Sequence, residues 1–366
     1  MATTARPTVL TWTTVAPVAA LVVLAFVWGT EPGPVPVAVV AVALVAAVLA
    51  AVHHAEVVAH RVGEPFGSLV LAVAVTVIEV GLIVTLMVSG GPETASLARD
   101  TVFAAVMVTC NGIVGLSLLL GALRRDVVSF NREGSGAALA TVLALAVMTL
   151  VLPTFTTSRP GPEFSPPQLV FAALASLVLY GAFVVTQTVR HRGFFLPVVE
   201  DDDTDDDREH ADPPTGRTAL ASLGLLLAAL VAVVGLAKVA SPAIESGVAA
   251  VGFPQSFVGV VIALVVLAPE TLAAANAARR NRLQTSLNLA FGSAMASIGL
   301  TIPVIAVATI WLDGPLLLGL GPTQLVLLAV TVGVAVLTVV PGRATRLQGV
   351  VHLVLLAGFL FLAVAP

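Results

Sequence analysis

Two glutamates stand where a carboxylate is expensive. Glu79, in Thr76-Val77-Ile78-Glu79, lies about 18 Å into an apolar run at about 1.5 Å per helical residue, and Glu270 follows Pro269 inside a second run. A charge near the centre of a bilayer is costly unless it is protonated, paired or turned towards a cavity, and no spanning helix is expected to supply a Lys or Arg for Glu79. Two facing carboxylates suit one divalent cation, which prefers oxygen ligands. With the cation gone, two like charges in a low dielectric raise each other's proton affinity. Occupancy by cation or by proton, one excluding the other, is the chemistry such a pair predicts.

Several polar residues fit around that pair. Thr76 is one helical turn before Glu79 and shares its face. Asn111, in Thr109-Cys110-Asn111-Gly112, carries an amide that is costly in lipid, and Ser293 lies in a similar apolar setting. Pro269 frees the carbonyl of Val265 from its helical bond, leaving it available to a hard cation. These residues are the expected cation and proton ligands, with Glu79 and Glu270 as the metal-binding carboxylates. Glu56 and Glu245, near the ends of their apolar runs, suit gating or proton relay. His53, His54 and His60 read as interfacial polar residues, His352 as structural, and the single Cys110 has no partner for a disulfide or a zinc site.

The elements that must hold these groups follow from composition. Of 366 residues, 58% are hydrophobic and 10% charged. A soluble domain carries about 25% charge, so a water-soluble enzyme, a disordered chain and a nucleic-acid binder are excluded. Runs of about 20 apolar residues, enough to span a bilayer, fall near 10–29, 35–52, 67–89, 101–123, 136–154, 169–189, 218–240, 254–275, 286–311, 315–340 and 346–364, numbered M1 to M11. M1 follows only Arg6 and ends without a small-residue cleavage site, so it is expected to remain as a helix. With the N-terminus inside, fourteen of the 17 Lys and Arg fall on cytoplasmic segments and three, Arg99, Arg159 and Lys238, outside. That asymmetry is the one cytoplasmic loops show. It predicts a multi-pass protein of the cytoplasmic membrane with an external C-terminus, surrounded by lipid and handling inorganic cations.

Nine acidic residues between Glu200 and Asp212 join M6 to M7 and read as a solvated cytoplasmic linker, spanning about 191–217, or as a weak cation-collecting loop. Either side of it one pattern recurs. Glu56 is followed by Gly63, Pro65 and Glu79; Glu245 is followed by Gly252, Pro254 and Glu270. Five helices is an odd number, so a second copy crosses the membrane in the opposite sense. The expected architecture is all-α and polytopic, with eleven transmembrane helices: M1 within 1–30, then two inverted five-helix repeats, M2–M6 within 31–190 and M7–M11 within 218–366. Inverted repeats place a transported ion near the midplane.

These segments resemble the calcium/cation antiporter superfamily, in its bacterial calcium:proton exchanger branch. The likeness is carried by His54-Ala55-Glu56 through Gly63-Glu64-Pro65, Thr76-Val77-Ile78-Glu79, Asn111-Gly112, Ala268-Pro269-Glu270, Arg279-Arg280-Asn281-Arg282 and Gly292-Ser293. It implies an ion held by M3, M4, M8 and M9, with Glu79 and Glu270 at the positions of the family's two cation-binding glutamates. Where many relatives have Gly-Asn before each glutamate, this chain has Val75-Thr76 and Val266-Leu267. The expected activity is exchange of cytoplasmic Ca²⁺ for external H⁺ by alternating access, with no cofactor. A Na⁺ or K⁺/H⁺ antiporter using the same site is the alternative, and a cation channel a further one. An intramembrane enzyme is not expected, because no nucleophile–base pair or His-Glu-x-x-His motif occurs.

Overall fold

The computed structural model describes residues 11–30, 33–63, 66–90, 94–123, 125–196, 214–311 and 314–366. Most of the acidic linker, with Glu64, Pro65, Arg6 and Arg124, lies outside the described residues. The helical segments are α1 (Trp12–Val27), α2 (Pro34–Val62), α3 (Phe66–Gly90), α4 (Leu97–Ala122), α5 (Arg132–Phe155) and α6 (Pro166–Arg190). After the linker come α7 (Gly216–Ala250), α8 (Phe257–Arg279), α9 (Leu283–Ala308), α10 (Pro322–Val339) and α11 (Arg346–Val364). Among the described residues nine helices are long and apolar enough to cross a membrane, and Trp12–Val27 and Val73–Val88 are shorter apolar stretches. The protein is therefore an all-α polytopic membrane protein.

Three boundaries differ from the sequence expectation by seven residues or more. M2, expected to end at 52, continues as α2 to Val62, so Glu56 and the three histidines ride on its last turns. M7 likewise continues to Ala250 through Pro242, which puts Glu245 inside α7. Polar side chains do not stop a helix whose backbone bonds are intact, and hydropathy reports only its apolar part. M10 starts seven residues later than expected, at Pro322. The stretch before it contains Gly314, Pro315, Gly319 and Gly321, and it runs extended, with Leu317 bridging Glu163.

The chain forms two compact units. One comprises Met1–Leu82 and Asp212–Ala243, the other Ile83–Ala211 and Ile244–Pro366, so each draws on chain from both sides of the linker. In the first unit α1 docks on α2 and on α7 around Gly235 and Lys238. A Cβ on Gly235 would lie 2.4 Å from Leu24 Cδ2, so a larger residue there would have to turn that leucine side chain aside. His54, expected at an interface, is buried, with Nε2 2.9 Å from the Thr13 carbonyl and Nδ1 3.3 Å from Ser222 Oγ. Lys238 lies 5.3 Å from the centre of the Trp28 ring, a cation–π distance.

In the second unit α4 is central and mostly buried, whereas α11 is mostly exposed. It packs with α8, α9 and α11. Two short strands, β1 (Val128–Ser129) and β2 (Arg343–Ala344), pair antiparallel with Val128 opposite Ala344 and join the α4–α5 connection to the α10–α11 connection.

Candidate functional site

Glu79 and Thr76 are both buried on α3, at 3% and 5% exposure, and one turn apart. The helix is held there by close packing: a Cβ on Gly81 would stand 2.7 Å from Val234 Cγ2. Both residues belong to the first unit, whereas Glu270, Asn111, Ser293 and Glu245 belong to the second.

Two contacts set the register of α4, α8 and α9. At one end a Cβ on Gly259 would lie 2.7 Å from the Thr101 amide nitrogen and 2.8 Å from the Asp100 carbonyl carbon, so the α8 backbone rests directly on α4. At the other, Ser286 Oγ donates to the Ala274 carbonyl at 2.8 Å and meets Ser117 Oγ. Between these contacts α4 advances from Thr101 to Ser117 and α8 from Gly259 to Ala274, nearly equal distances in the same direction. Asn111 and Glu270 therefore share a depth, about 15 Å from the Gly259 crossing at about 1.5 Å per residue. On α9 that depth falls at about residue 290, so Ser293 is within one turn of it. Glu270 is 7% exposed, and Ser293 is half-buried. The structure thus brings Glu270, Asn111 and Ser293 to one level of the second unit.

Asn111 sits in a π-helical turn, Val108–Ile113, within α4. Such turns widen a helix locally and concentrate at functional positions. The side chain is fully buried and engaged at both ends of its amide. Nδ2 donates to Thr331 Oγ1 on α10 at 2.9 Å, and Oδ1 lies 3.1 Å from His352 Nδ1 on α11. His352 Nε2 is in turn 3.1 Å from Thr338 Oγ1. Thr331 and Thr338 carry no local sequence signal of this role, and His352, read as structural, is a direct partner of a candidate site residue. A lone polar residue in an apolar helix is the signal that could have found it.

Glu56 is exposed on the last turns of α2. Glu245 lines a small cleft with Thr94, Ser96, Asp100 and Gln255, having about 10 Å³ open to a water-sized sphere, the room one water needs. Asp100 was hidden from sequence reasoning because M4 was expected to begin at 101. It is 4% exposed and accepts from Ser96 Oγ at 2.8 Å, Arg99 Nε at 2.9 Å and Gln324 Nε2 at 3.3 Å, while Arg99 Nη1 also donates to the Gly319 carbonyl. These bonds satisfy an ionised carboxylate in the first turn of α4, where the helix dipole also favours it.

Comparison with known proteins bears on this arrangement. The sodium/calcium exchanger protein family matches residues 33–189 and 221–365, leaving out the linker region. The chain belongs to that family. It is a member of the calcium/cation antiporter superfamily and a secondary transporter rather than an enzyme. Among relatives, y4hA of Sinorhizobium fredii, named no more narrowly than as an ionic transporter, is 48% identical over 327 residues, 88% of this chain and 87% of that protein. The sodium-potassium/proton antiporter ChaA of Escherichia coli is 36% identical, covering 94% and 93% of the two chains. The solved structure of native YfkE superimposes with a TM-score of 0.70 at 18% identity, over 97% of this chain and 99% of that one. The H⁺/Ca²⁺ exchanger CAX gives the same TM-score at 16% identity, over 95% and 86%. These two show the fold.

Proposed function

We propose that this membrane antiporter exchanges cytoplasmic Ca²⁺ for external H⁺, with Glu79 and Glu270 binding either the cation or protons, and with Thr76, Asn111 and Ser293 as neighbouring oxygen ligands. The observation that carries the reading is Glu270: a buried carboxylate in an apolar helix, one residue after a proline inside that helix, at the depth of a fully buried Asn111 in a π-turn. A second buried carboxylate, Glu79, with a hydroxyl one turn away, supplies the charge that a divalent ion requires. Glu56 and Glu245 serve gating or proton relay at the two mouths.

Eleven spans arranged as M1 and two inverted repeats complete the reading. Gly63 and Gly252, the matching glycines of the two copies, both have positive φ, at 74° and 79°. The loop pairings agree as well. Mapping M2–M6 onto M7–M11 carries the β1–β2 pairing, between connections M4–M5 and M10–M11, onto the Glu163–Leu317 bridge between connections M9–M10 and M5–M6. The arginine distribution then puts the N-terminus and the acidic linker in the cytoplasm of a cell whose membrane carries the protein.

Ca²⁺ balances two carboxylates without a retained proton, and CAX, which shares the fold, is named an H⁺/Ca²⁺ exchanger. The second reading, Na⁺ or K⁺ against H⁺ at the same glutamates, is favoured by the name of ChaA, a relative at 36% identity. Proton release triggered by Ca²⁺, Na⁺ or K⁺ in everted membrane vesicles separates them. A response to Ca²⁺ alone, abolished by Glu79→Gln and by Glu270→Gln, is expected. Equal responses to Na⁺ or K⁺ would move the assignment to the second reading, and no response to any cation would remove antiport altogether.

A further inference from the structure

Helix α11 is mostly turned outwards, yet His352 on it is fully buried. Two glycines bring it in. A Cβ on Gly115 of α4 would be 2.9 Å from His352 Cβ and 3.0 Å from the Gly349 carbonyl oxygen; one on Gly349 would be 2.7 Å from the Leu119 amide nitrogen. This close approach of α4 and α11 places the imidazole against the Asn111 amide. An imidazole held inside a bilayer, bonded through both ring nitrogens, is a functional position by default.

We propose that His352 is a positioning residue for the cation site, fixing the orientation of the Asn111 side-chain amide; this rests on the reading of Asn111 as a site residue. Asn111 Oδ1 can only accept, so the ring nitrogen 3.1 Å away carries the hydrogen. Nε2 then faces the Thr338 hydroxyl at 3.1 Å, whose oxygen is also 2.8 Å from the Val334 carbonyl, so its one hydrogen is shared between the two. At the other end of the amide, Thr331 Oγ1 directs its hydrogen at Met107 Sδ, 3.6 Å away, and offers a lone pair to Asn111 Nδ2. Histidine and threonine therefore agree on one orientation. An amide oxygen has two lone pairs, so the bond from His352 leaves one for a cation. Turned end for end, the amide would present N–H hydrogens to the ion and repel it. Outer partners that orient a ligand in this way change metal affinity by about 10–100-fold when removed.

The test is the concentration dependence of cation-triggered proton release in everted vesicles, using the cation to which the wild type responds. His352→Ala is expected to raise the half-saturating concentration about tenfold with the maximal rate retained. His352→Asn places an amide N–H near Nδ1 and should recover most of the affinity. His352→Gln reproduces the Nε2 side, lacks the donor to Asn111 and should not. In Asn111→Ala, adding His352→Ala should change nothing, because the two residues act as one unit. Equal rescue by Asn and Gln, additivity of the two alanine variants, or wild-type affinity in His352→Ala would each overturn the inference. If Asn111→Ala itself has wild-type affinity while Glu270→Gln is inactive, the site role of Asn111 fails and this inference with it. An impaired Asn111→Ala with an additive His352→Ala sinks the role of His352 alone.

Discussion

Gly349→Ala tests whether the contact between α4 and α11 governs the site one helical turn away. The added methyl would lie 2.7 Å from the Leu119 nitrogen and 3.1 Å from its Cα, both backbone atoms that no rotamer change can move. Ordinary contact begins at about 3.5 Å, so the helices must separate by up to about 0.8 Å. Added to the 3.1 Å His352–Asn111 distance, that gives up to about 3.9 Å, beyond the reach of a hydrogen bond. Overpacking of this kind costs about 1–3 kcal/mol. The net loss of one hydrogen bond, about 1 kcal/mol, corresponds to about fivefold weaker cation affinity. The control lies on the same helix: Gly358 has nothing within 4 Å of an added Cβ, so Gly358→Ala should be neutral or slightly stabilising, as alanine favours helix over glycine by about 1 kcal/mol. Thermal unfolding in detergent and cation titration of proton release are the measurements. If Gly349→Ala matches Gly358→Ala in both, the close approach does not position the site.

Other variants probe the remaining parts. Glu79→Gln and Glu270→Gln should each abolish cation-triggered proton release while preserving the folded fraction in size-exclusion profiles; one active variant would exclude a two-carboxylate mechanism. Asp100→Asn breaks the ion pair with Arg99, whose partner side chains are 3% and 17% exposed, and should lower stability by about 3 kcal/mol as buried pairs do when one charge is removed; an unchanged melting temperature would show that Ser96 and Gln324 suffice. Asn281, in the α8–α9 turn, has φ 58° and is the only non-glycine with positive φ among the described residues. Asn281→Gly should be tolerated and Asn281→Val should cost about 1–2 kcal/mol, read as a lower melting temperature; equal stability of the two would mean that the turn relaxes out of the left-handed conformation.

Much of the architecture was legible because its causes are local. An apolar run of bilayer length and a carboxylate inside it are properties of short stretches, and they pointed to Glu79 and Glu270, both buried in apolar helices. Gly63 and Gly252 were legible as a pair because each terminates its helix through its own backbone, with positive φ in both. The ends of α2 and α7 were not, since helix continuation through Glu56 or Glu245 depends on hydrogen bonding that hydropathy does not measure. Nor was the late start of α10, where Leu317 pairs with Glu163 instead.

What the sequence determined, then, is that this chain must cross a membrane many times and set Glu79 and Glu270 within apolar helices. Which polar groups those acids and their neighbours meet was decided by tertiary packing. Asn111 and His352 are separated by 241 residues, and their bond exists because Gly115 and Gly349 let two helices touch. Asp100 is buried because Arg99 and Gln324, one adjacent and one 224 residues away, converge on it. Hydrophobicity acts over a few residues and is written along the chain. A hydrogen-bond partner is a matter of a few tenths of an ångström between distant segments, and only the folded backbone sets that.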